Sequence, residues 1–441
     1  MSERNEEAQL MVFPNRLPKA AVVVLSALLP DALAANGYQN LHQSADGLAT
    51  AYATNGAGGD DITAIFSNPA SLSRFPGINA AFNATVIAPK SKMTGMSALS
   101  YGTAVDGTPS VSRQVLDTSY SAASYLGWQI NDRLTFGVAF NAPWATESQY
   151  PDTAKSRYIA TDTNLRALNI APMLSWQATP ELSLAAAINI QHYDAEFAVI
   201  ADTDVASGGS GGDINSEVTA ADYAVGYTLG LEWERGPTRI GLSYRSKIEH
   251  DFSGDVQLDG GDLAAFQTLV GNPIARSGSA SFSIATPWIA TLGVAHKASD
   301  RLELYGSAML VGWSAFEDTL VQYGNGLPDT DVRNGWEDKA YLAVGLGYQY
   351  SDSVKFRTGV AYDPTPTQDS VRNPRAPNAD RIYFGAGVSW QARNDLQVDF
   401  SWAHTFFDTA VIDLDNGGGN TLNGDIDVDA DIFMIQIAKR W

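Results

Sequence analysis

The sequence has no cysteine and few charged residues. The absence of cysteine from its 441 residues excludes a disulfide scaffold and a thiolate metal site. Charged residues make up 17% of the chain, whereas soluble domains have about a quarter. The 28 Lys and Arg against 49 Asp and Glu leave a net charge of −21, which argues against nucleic acid as a partner. The 10 Trp, 18 Tyr and 17 Phe exclude a disordered chain, since such a chain has much to bury.

The sequence also lacks long apolar runs. A short apolar run lies near its start. Two basic residues precede the apolar run 20–29, and Ala32-Leu33-Ala34 follows it as a small-residue cleavage site. A bilayer-spanning helix needs roughly 20 apolar residues, so this run is too short for one. Residues 1–34 are therefore predicted to be a secretory signal peptide, with translation starting at Met1 or Met11.

From about residue 78, the chain repeats segments of roughly ten residues in which large apolar side chains alternate with small or polar ones. Leu134, Phe136, Val138 and Phe140 form one such face, and Val354, Phe356, Val360 and Tyr362 belong to another. Successive side chains of a strand point to opposite faces, so each segment predicts a strand with one apolar face. A soluble β-domain would show the same alternation.

The connections distinguish these two possibilities. Six short turns, the first at Ile130-Asn131-Asp132, alternate with seven long polar connections. The long connections lie near 89–118, 145–161, 201–220, 253–278, 317–333, 363–380 and 408–427. Thirteen connections join fourteen strands, and alternating short and long connections are typical of bacterial outer-membrane barrels. The predicted fold is an all-β membrane protein, a fourteen-stranded antiparallel barrel over residues 78–441.

Residues 35–77 lack the alternation and are rich in Gly, Ala and polar residues. We expect them to form a small N-terminal hatch that plugs the barrel, whose lumen can satisfy polar backbone groups. At the other end of the chain, Phe433, Ile435, Ile437 and Trp441 share the apolar face of the last strand. The aspartates from Asp425 to Asp431 share that face further up, so they are expected to lie outside the hydrocarbon region. A solvated acidic stretch is preferred there over a loose divalent-cation site.

Residues 35–77 contain an ordered set of short motifs: Gly47-Leu48, Ala51-Tyr52, Gly56-Ala57, Asp60-Asp61 and above all Asn68-Pro69-Ala70. With these motifs, the hatch resembles that of the FadL family of outer-membrane long-chain fatty acid transporters. It continues through Ile130-Asn131-Asp132, 312–316, 356–363 and Asp380-Arg381. This resemblance implies a fourteen-stranded barrel that captures a hydrophobic ligand at extracellular loops, passes it into a pocket and releases it sideways where the third strand kinks inward.

The third strand, Arg133 to Trp144, contains interrupting residues. We predict a lateral opening beside Gly137, Asn141 and Pro143, because Gly and Pro both weaken strand pairing. Alternatively, Pro143 only ends the strand.

The loop 253–278 has an apolar helical pattern. Leu258, Leu263, Phe266 and Leu269 are predicted to form the outer capture site, with plain loop packing as the alternative. The partner loop departs from the family pattern, since residues 206–212 are rich in Gly and Ser and have no apolar helix.

Family members place basic side chains near the bound carboxylate, and here the sequence departs again. Glu317 and Asp318 follow Trp313-Ser314-Ala315-Phe316, with no lysine nearby. Cations in the lumen phase of the strands are Arg245, Lys247, Lys355 and Arg357, and each could contact a ligand or only balance an acid. A neutral aromatic or alkane hydrocarbon is therefore an alternative to a fatty acid.

Other functional classes are less consistent with the sequence. A water-filled porin would not need a hatch. An enzyme would need a nucleophile and base, but the five histidines are scattered and no Gly-x-Ser-x-Gly turn is present. A purely adhesive or structural role of the barrel is a further alternative. We expect a monomer that contacts outer-membrane lipids and a hydrophobic ligand and that uses no cofactor or metal.

Overall fold

The computed structural model describes residues 37–107, 116, 118–203, 212–416 and 419–441. The predicted signal peptide and most of the stretch 206–212 lie outside these residues.

The described residues form fourteen barrel strands. They are β1 Ile78–Ser100, β2 Ser119–Asn131, β3 Leu134–Gln149, β4 Asp162–Thr179, β5 Leu182–Ala201, β6 Ile214–Arg235, β7 Thr238–Arg245 with Ile248–Gly260, β8 Ser277–Thr286 with Trp288–Lys297, β9 Leu302–Gly312, β10 Lys339–Ser351, β11 Val354–Asp363, β12 Arg381–Arg393, β13 Leu396–Phe407 with Ala410–Asp415, and β14 Thr421–Arg440.

Each strand pairs antiparallel with the next one in the chain, and the last strand pairs with the first. The closing ladder runs from Asn79↔Arg440 to Leu99↔Thr421. The sheet therefore closes on itself, which confirms the predicted fourteen-stranded antiparallel barrel. Short strands at Thr103–Ala104, Thr319–Tyr323 and Thr330–Val332 lie in the long connections.

The two faces of the barrel have opposite character. Large apolar side chains are exposed on the outside, and Tyr223 and Val225 reach 74% and 65% exposure. On the inside, polar side chains such as Asn83, Gln191 and Gln436 are fully buried. This is the reverse of a soluble protein, in which apolar side chains are hidden from the surroundings. The exposed apolar surface matches the lipid-facing band of an outer-membrane barrel.

Several strands extend further than predicted. β1 continues to Ser100, β6 begins at Ile214, and the last strand begins at Thr421, within stretches expected to be loops. Asp425, Asp427 and Asp429 therefore sit on β14 itself, on its exposed face. The sequence pattern made these strands too short, because above the apolar band the outward face becomes polar, as at Asp425 and Asp427, while the inward face stays apolar, as at Ile426 and Val428. Among the described residues, no group of acidic or His side chains could hold a metal ion.

The described hatch residues, 37–77, contact the inner faces of many strands. They form helix α1, Ala45–Ala49, and two 3-10 helices, Ile62–Phe66 and Pro69–Arg74. Glycines on the strands make room for this backbone. A Cβ on Gly359 or Gly385 would collide with the carbonyl oxygens of Thr50 and Leu48. A second helix, α2 Leu263–Val270, lies in a long connection. No helix within the described residues is long and apolar enough to cross a membrane.

Candidate functional site: a gap in the barrel wall beside the hatch

The pairing between β2 and β3 stops partway up the barrel. It runs from Asn131↔Leu134 to Ser124↔Phe140 and no further. Above this point, residues 119–123 of β2 still pair with β1 but no longer with β3. A gap between β2 and β3 therefore begins at Phe140.

A β-bulge in β3 accounts for the gap. Opposite β4, the register shifts between Asn141 and Trp144, so that β3 carries one extra residue there. Four successive residues, from Pro143 to Thr146, are buried, and β3 has no outward-facing side in this stretch. A proline cannot donate to a ladder, and a bulge bends its strand, so the local sequence favours this inward turn.

The start of the hatch fills this gap. Gln39 forms an antiparallel bridge with Trp144. The Asn40 amide donates to the Pro143 carbonyl at 2.8 Å, and the Ala145 amide donates to the Tyr38 carbonyl at 2.8 Å. The Asn40 side chain also donates to the Ser121 hydroxyl at 3.2 Å. Residues 38–40 thus lie as a short strand between β2 and the bent part of β3.

A mostly apolar pocket lies on the inner side of this segment. The residues Ile87, Leu116, Phe407, Val428 and Ile432 line it, together with the polar His42 and Arg381. The Arg381 guanidinium donates to one oxygen of Asp363 at 2.6 and 2.9 Å, so its charge is balanced within the wall. Burial, with a smaller contribution from Arg381, lowers the pKa of His42 to about 3, so its ring is neutral. A pocket with an apolar body and few polar groups suits a hydrophobic ligand.

Charged side chains hold the hatch near the short turns of the barrel. Arg357 on β11 pairs with Asp46 at 3.2 Å and also with Asp60. Lys355 on the same strand pairs with Asp60 at 2.7 Å and with Glu303 at 3.0 Å. On the other side of the lumen, Arg74 of the hatch pairs with Glu232 of β6 at 2.9 Å. These ion pairs link the hatch to strands on opposite sides of the barrel.

The sequence matches a family described as outer membrane protein transport protein (OMPP1/FadL/TodX) over residues 26–441. The chain belongs to this family. A long-chain fatty acid transport protein of Escherichia coli is 22% identical over 86% of this chain and 89% of its own length. A crystal structure of a Pseudomonas aeruginosa FadL homologue covers 92% of this chain and 99% of its own, with 23% identity and a TM-score of 0.83. The crystal structure of the Ralstonia pickettii toluene transporter TbuX covers 92% of this chain and 99% of its own, with 18% identity and a TM-score of 0.67.

Family membership confirms an outer-membrane barrel that transports hydrophobic compounds and is not an enzyme. The resemblance inferred from the hatch motifs is confirmed as well. The predicted division into residues 1–34, 35–77 and 78–441 stays a prediction.

The three residues predicted for the lateral opening lie at different places relative to the gap. Asn141 and Pro143 flank the bulge, and the Asn141 amide oxygen accepts from Asn169 at 3.2 Å. Gly137 lies lower, where a Cβ would come within 2.8 Å of the hatch residue Leu72. Its lack of a side chain is explained by close packing against the hatch, below the gap.

The hatch motif Asn68-Pro69-Ala70 begins the second 3-10 helix. The Asn68 side chain accepts from the Ala70 amide at 3.0 Å and donates to the carbonyls of Gly56 and Leu231 at 2.8 and 3.0 Å. One side chain therefore caps a helix, joins two parts of the hatch and attaches the hatch to β6. Pro69 occupies the first turn, where its missing amide hydrogen has no cost.

The predicted capture residues are brought together in the connection that carries α2. Leu258 and Phe266 are buried against Ile214 and Ile274, while Leu263 and Leu269 are only partly buried. Helix α2 begins at the cap Asp262, whose carboxylate accepts from two backbone amides. The cluster has both an internal packing role and a partly open apolar face, so its part in capture stays a prediction.

The predicted cations are placed differently from one another. Arg357 and Lys355 face the lumen and pair with acids, whereas Arg245 faces the lumen and forms no ion pair with any acid that the structure describes. Lys247 is the exception, because it points outward and pairs with Glu249. The lumen assignment of Lys247 was wrong, since β7 is interrupted after Arg245 and resumes at Ile248 with its faces exchanged. A ligand contact of Arg245, Lys355 or Arg357 stays a prediction.

Sequence reasoning missed Trp144, His42 and Arg381 as parts of this site. Arg381 stands in the family motif at the start of β12, and Asp363 ends the motif on β11. Their position on neighbouring strands could have indicated the pair. The position of His42 beside the pocket depends on the path of the hatch and has no local signal.

Proposed function

We propose that this protein takes up lipophilic molecules, long-chain fatty acids or related compounds, and releases them sideways through the gap between β2 and β3. The observation that carries the proposal is the loss of β2–β3 pairing above Phe140, with hatch residues 38–40 filling the space. A ligand would be captured at the loops near α2 and would enter the apolar pocket beside His42. It would leave when the first hatch residues move away from β3.

The physical reason for such a route is the low solubility of the ligand. Each buried CH₂ group stabilises a bound chain by about 0.8 kcal/mol relative to water. A path from an apolar pocket through the wall into lipid keeps the chain out of water throughout. No external energy source is needed, because the ligand moves from one apolar environment to another.

Two engineered disulfides test the route. Because the chain has no native cysteine, the introduced thiols can pair only with each other. The pair N40C/S121C joins the hatch segment to β2 across the gap, where the two side chains lie 3.2 Å apart. The matched control S73C/S175C joins the rear of the hatch to β4, where the two hydroxyls lie 2.7 Å apart. Uptake of labelled palmitate and toluene is measured in cells before and after reduction.

We expect oxidised N40C/S121C to lose most uptake and to recover it on reduction, with little effect from S73C/S175C. Uptake that is unchanged in oxidised N40C/S121C would exclude release through this gap. Loss of uptake in both oxidised pairs would mean that the whole hatch has to move. Absence of uptake of either compound by the wild-type protein would reject the proposed function itself.

A neutral hydrocarbon is the second candidate substrate. The Arg381 charge beside the pocket is already balanced by Asp363, so this pocket offers no free cation to a carboxylate. Toluene uptake without palmitate uptake in the same assay would favour this candidate.

A further inference from the structure

The connection between β11 and β12, residues 364–380, is long and yet partly buried. Pro374 and residues 376–379 are buried, whereas connections between strands normally run over the protein surface. The connection leaves β11 at the end opposite the short turns, and in an outer-membrane barrel that end is extracellular. Its second half therefore folds into the outer mouth of the barrel.

The tip of this connection reaches the far side of the barrel. The Arg375 guanidinium donates four hydrogen bonds of 2.8 to 3.1 Å, to the Thr163 hydroxyl and to the backbone carbonyls of Ile159, Asp162 and Ala198. These acceptors lie on β4, on β5 or just before β4. In the ring of fourteen strands, β4 is seven strands from β11 in either direction. Residues 364–380 therefore cross the whole mouth.

Two hydroxyl groups support the same attachment. The Ser148 hydroxyl donates to the Arg375 carbonyl at 3.2 Å, and the Tyr150 hydroxyl donates to the Pro374 carbonyl. The Arg375 guanidinium also lies 5.4 Å from the centre of the Phe197 ring. The attachment of the tip thus depends mainly on the one side chain of Arg375, whose four acceptors are all neutral.

The root of the connection is held separately, near β13. Arg372 is 4% exposed, pairs with Asp369 and donates to the carbonyls of Asn378 and Val411. The Asp413 amide donates to the Asp369 carbonyl at 3.0 Å. These contacts do not involve β4 or β5, so the tip can detach while the root stays in place.

The residues that follow Arg375 close the pocket beside His42. Ala376, Pro377 and Asn378 line this pocket on its outer side. The pocket holds about 40 Å³, and one water needs roughly 10–15 Å³ by this measure. A hydrocarbon chain of more than a few carbons therefore cannot enter unless part of the pocket wall moves. The barrel strands are fixed by their ladders, so the connection is the part of the outer wall that can move.

We propose that residues 364–380 form a lid over this pocket and that Arg375 is the latch that holds the lid against β4 and β5. The latch opens when the four hydrogen bonds of Arg375 are exchanged for hydrogen bonds to water, and the lid then turns about its root at Arg372. The inference rests on the proposed function only in taking this pocket as the ligand site. The open lid admits a lipophilic molecule from outside whatever its charge.

The test measures access to the pocket with a single introduced cysteine. Ala430 lines the pocket and is 8% exposed, and the chain has no native cysteine. A430C is labelled in intact cells with a maleimide that does not cross membranes, alone and combined with R375Q or R375K. The matched control R333Q changes an exposed Arg of another long connection.

Two further controls accompany the labelling. S370C places the cysteine at an exposed position of the lid itself and shows that the reagent reaches the protein. Folding of each variant is checked by the heat-dependent shift of the barrel on a gel.

We expect R375Q to raise the labelling rate of A430C by about tenfold to a hundredfold, because the closed lid loses hydrogen bonds from a charged donor. R375K keeps the charge but not the planar fork, so its rate should lie between those of R375Q and wild type. R333Q should leave the rate of A430C unchanged, and S370C should be labelled equally in all backgrounds. Saturating palmitate or toluene should slow the labelling of A430C, because a ligand in the pocket covers the cysteine.

Labelling of A430C at the same rate with R375Q and with the wild-type lid would overturn the inference, and so would an equal increase with R333Q. Labelling of A430C as fast as S370C under the wild-type lid would also overturn it, because the pocket would then be open. Labelling that neither palmitate nor toluene slows would instead reject this pocket as the ligand site of the proposed function, while the lid would stand.

Discussion

Replacement of Arg357 by Met is predicted to loosen the hatch while leaving the barrel intact. The Arg357 and Asp46 side chains are each only 2% exposed, and their ion pair is 3.2 Å long. Removing one partner of a buried pair costs about 3–5 kcal/mol, because the other charge is left unpaired. Asp60 is less affected, since it keeps Lys355 at 2.7 Å. The barrel ladder does not depend on this pair, so the cost falls on the docked hatch.

A destabilisation of that size changes the docked-to-displaced ratio by a factor of about 10² to 4 × 10³. The assay is swelling of proteoliposomes in small sugars, which a plugged barrel passes slowly. We expect R357M to swell faster than wild type. The double variant R357M/D46N should swell more slowly than R357M, because the amide removes the unpaired charge.

Two results would refute this reasoning. Swelling of R357M at the wild-type rate would mean that the ion pairs do not hold the hatch. Equal swelling of the single and double variants would mean that the unpaired Asp46 charge is not the cause. The exposed variant R235Q serves as the control for nonspecific damage.

Two further predictions concern the hatch and the loops. Burial lowers the pKa of His42 to about 3, so this side chain binds fewer protons in the folded than in the unfolded state between pH 3 and 6.5. Its contribution to stability therefore falls as pH drops below 6.5, by up to about 1.4 kcal/mol per pH unit, whereas the buried Asp61, whose pKa is raised to about 8, acts in the opposite direction in both proteins. The melting temperature of H42Q should therefore fall less than that of wild type as pH drops; equal slopes would contradict this. At the loops, we expect the variants L263S and L269S to raise the ligand concentration for half-maximal uptake several-fold without changing the maximal rate. The control A264S lies on the exposed face of α2 and should have no effect. Unchanged uptake curves for L263S and L269S would mean that α2 does not take part in capture.

The strand pattern could be predicted because it depends on a local rule. The alternation around Phe136 and Val360 fixes which side faces lipid, since side chains of a strand point to opposite faces in turn. The rule fails where a strand is interrupted. Unbroken alternation would place Lys247 on the same face as Arg245, but the break between the two segments of β7 exchanges the two faces.

The partners of the site residues could not be predicted in the same way. Gly and Pro indicated irregular pairing in β3, but the bridge from Gln39 to Trp144 joins residues more than 100 positions apart. The pairing of Arg357 with Asp46 likewise depends on how the hatch lies in the lumen. The apolar spacing of 263–270 did predict the helix α2, since that signal is local.

The attachments of the hatch favour lateral over axial release. Four hydrogen bonds close the gap, from the Asn40 amide to Pro143, from Ala145 to Tyr38, from Gln43 to Ala142 and from the Asn40 side chain to Ser121. At about 0.5–1.5 kcal/mol each, their loss costs about 2–6 kcal/mol.

An axial path would require the hatch to leave the lumen, which breaks the pairs of Arg74 with the buried Glu232 and of Arg357 with the buried Asp46, and also the pair of Lys355 with Asp60. Each break of a buried pair costs about 3–5 kcal/mol. Burial of a few CH₂ groups, at about 0.8 kcal/mol each, is enough to offset the first cost but not the second. This difference supports the proposed route, in which a bound hydrocarbon chain opens the gap beside β3 while the part of the hatch held by Asp46 and Arg74 stays in place.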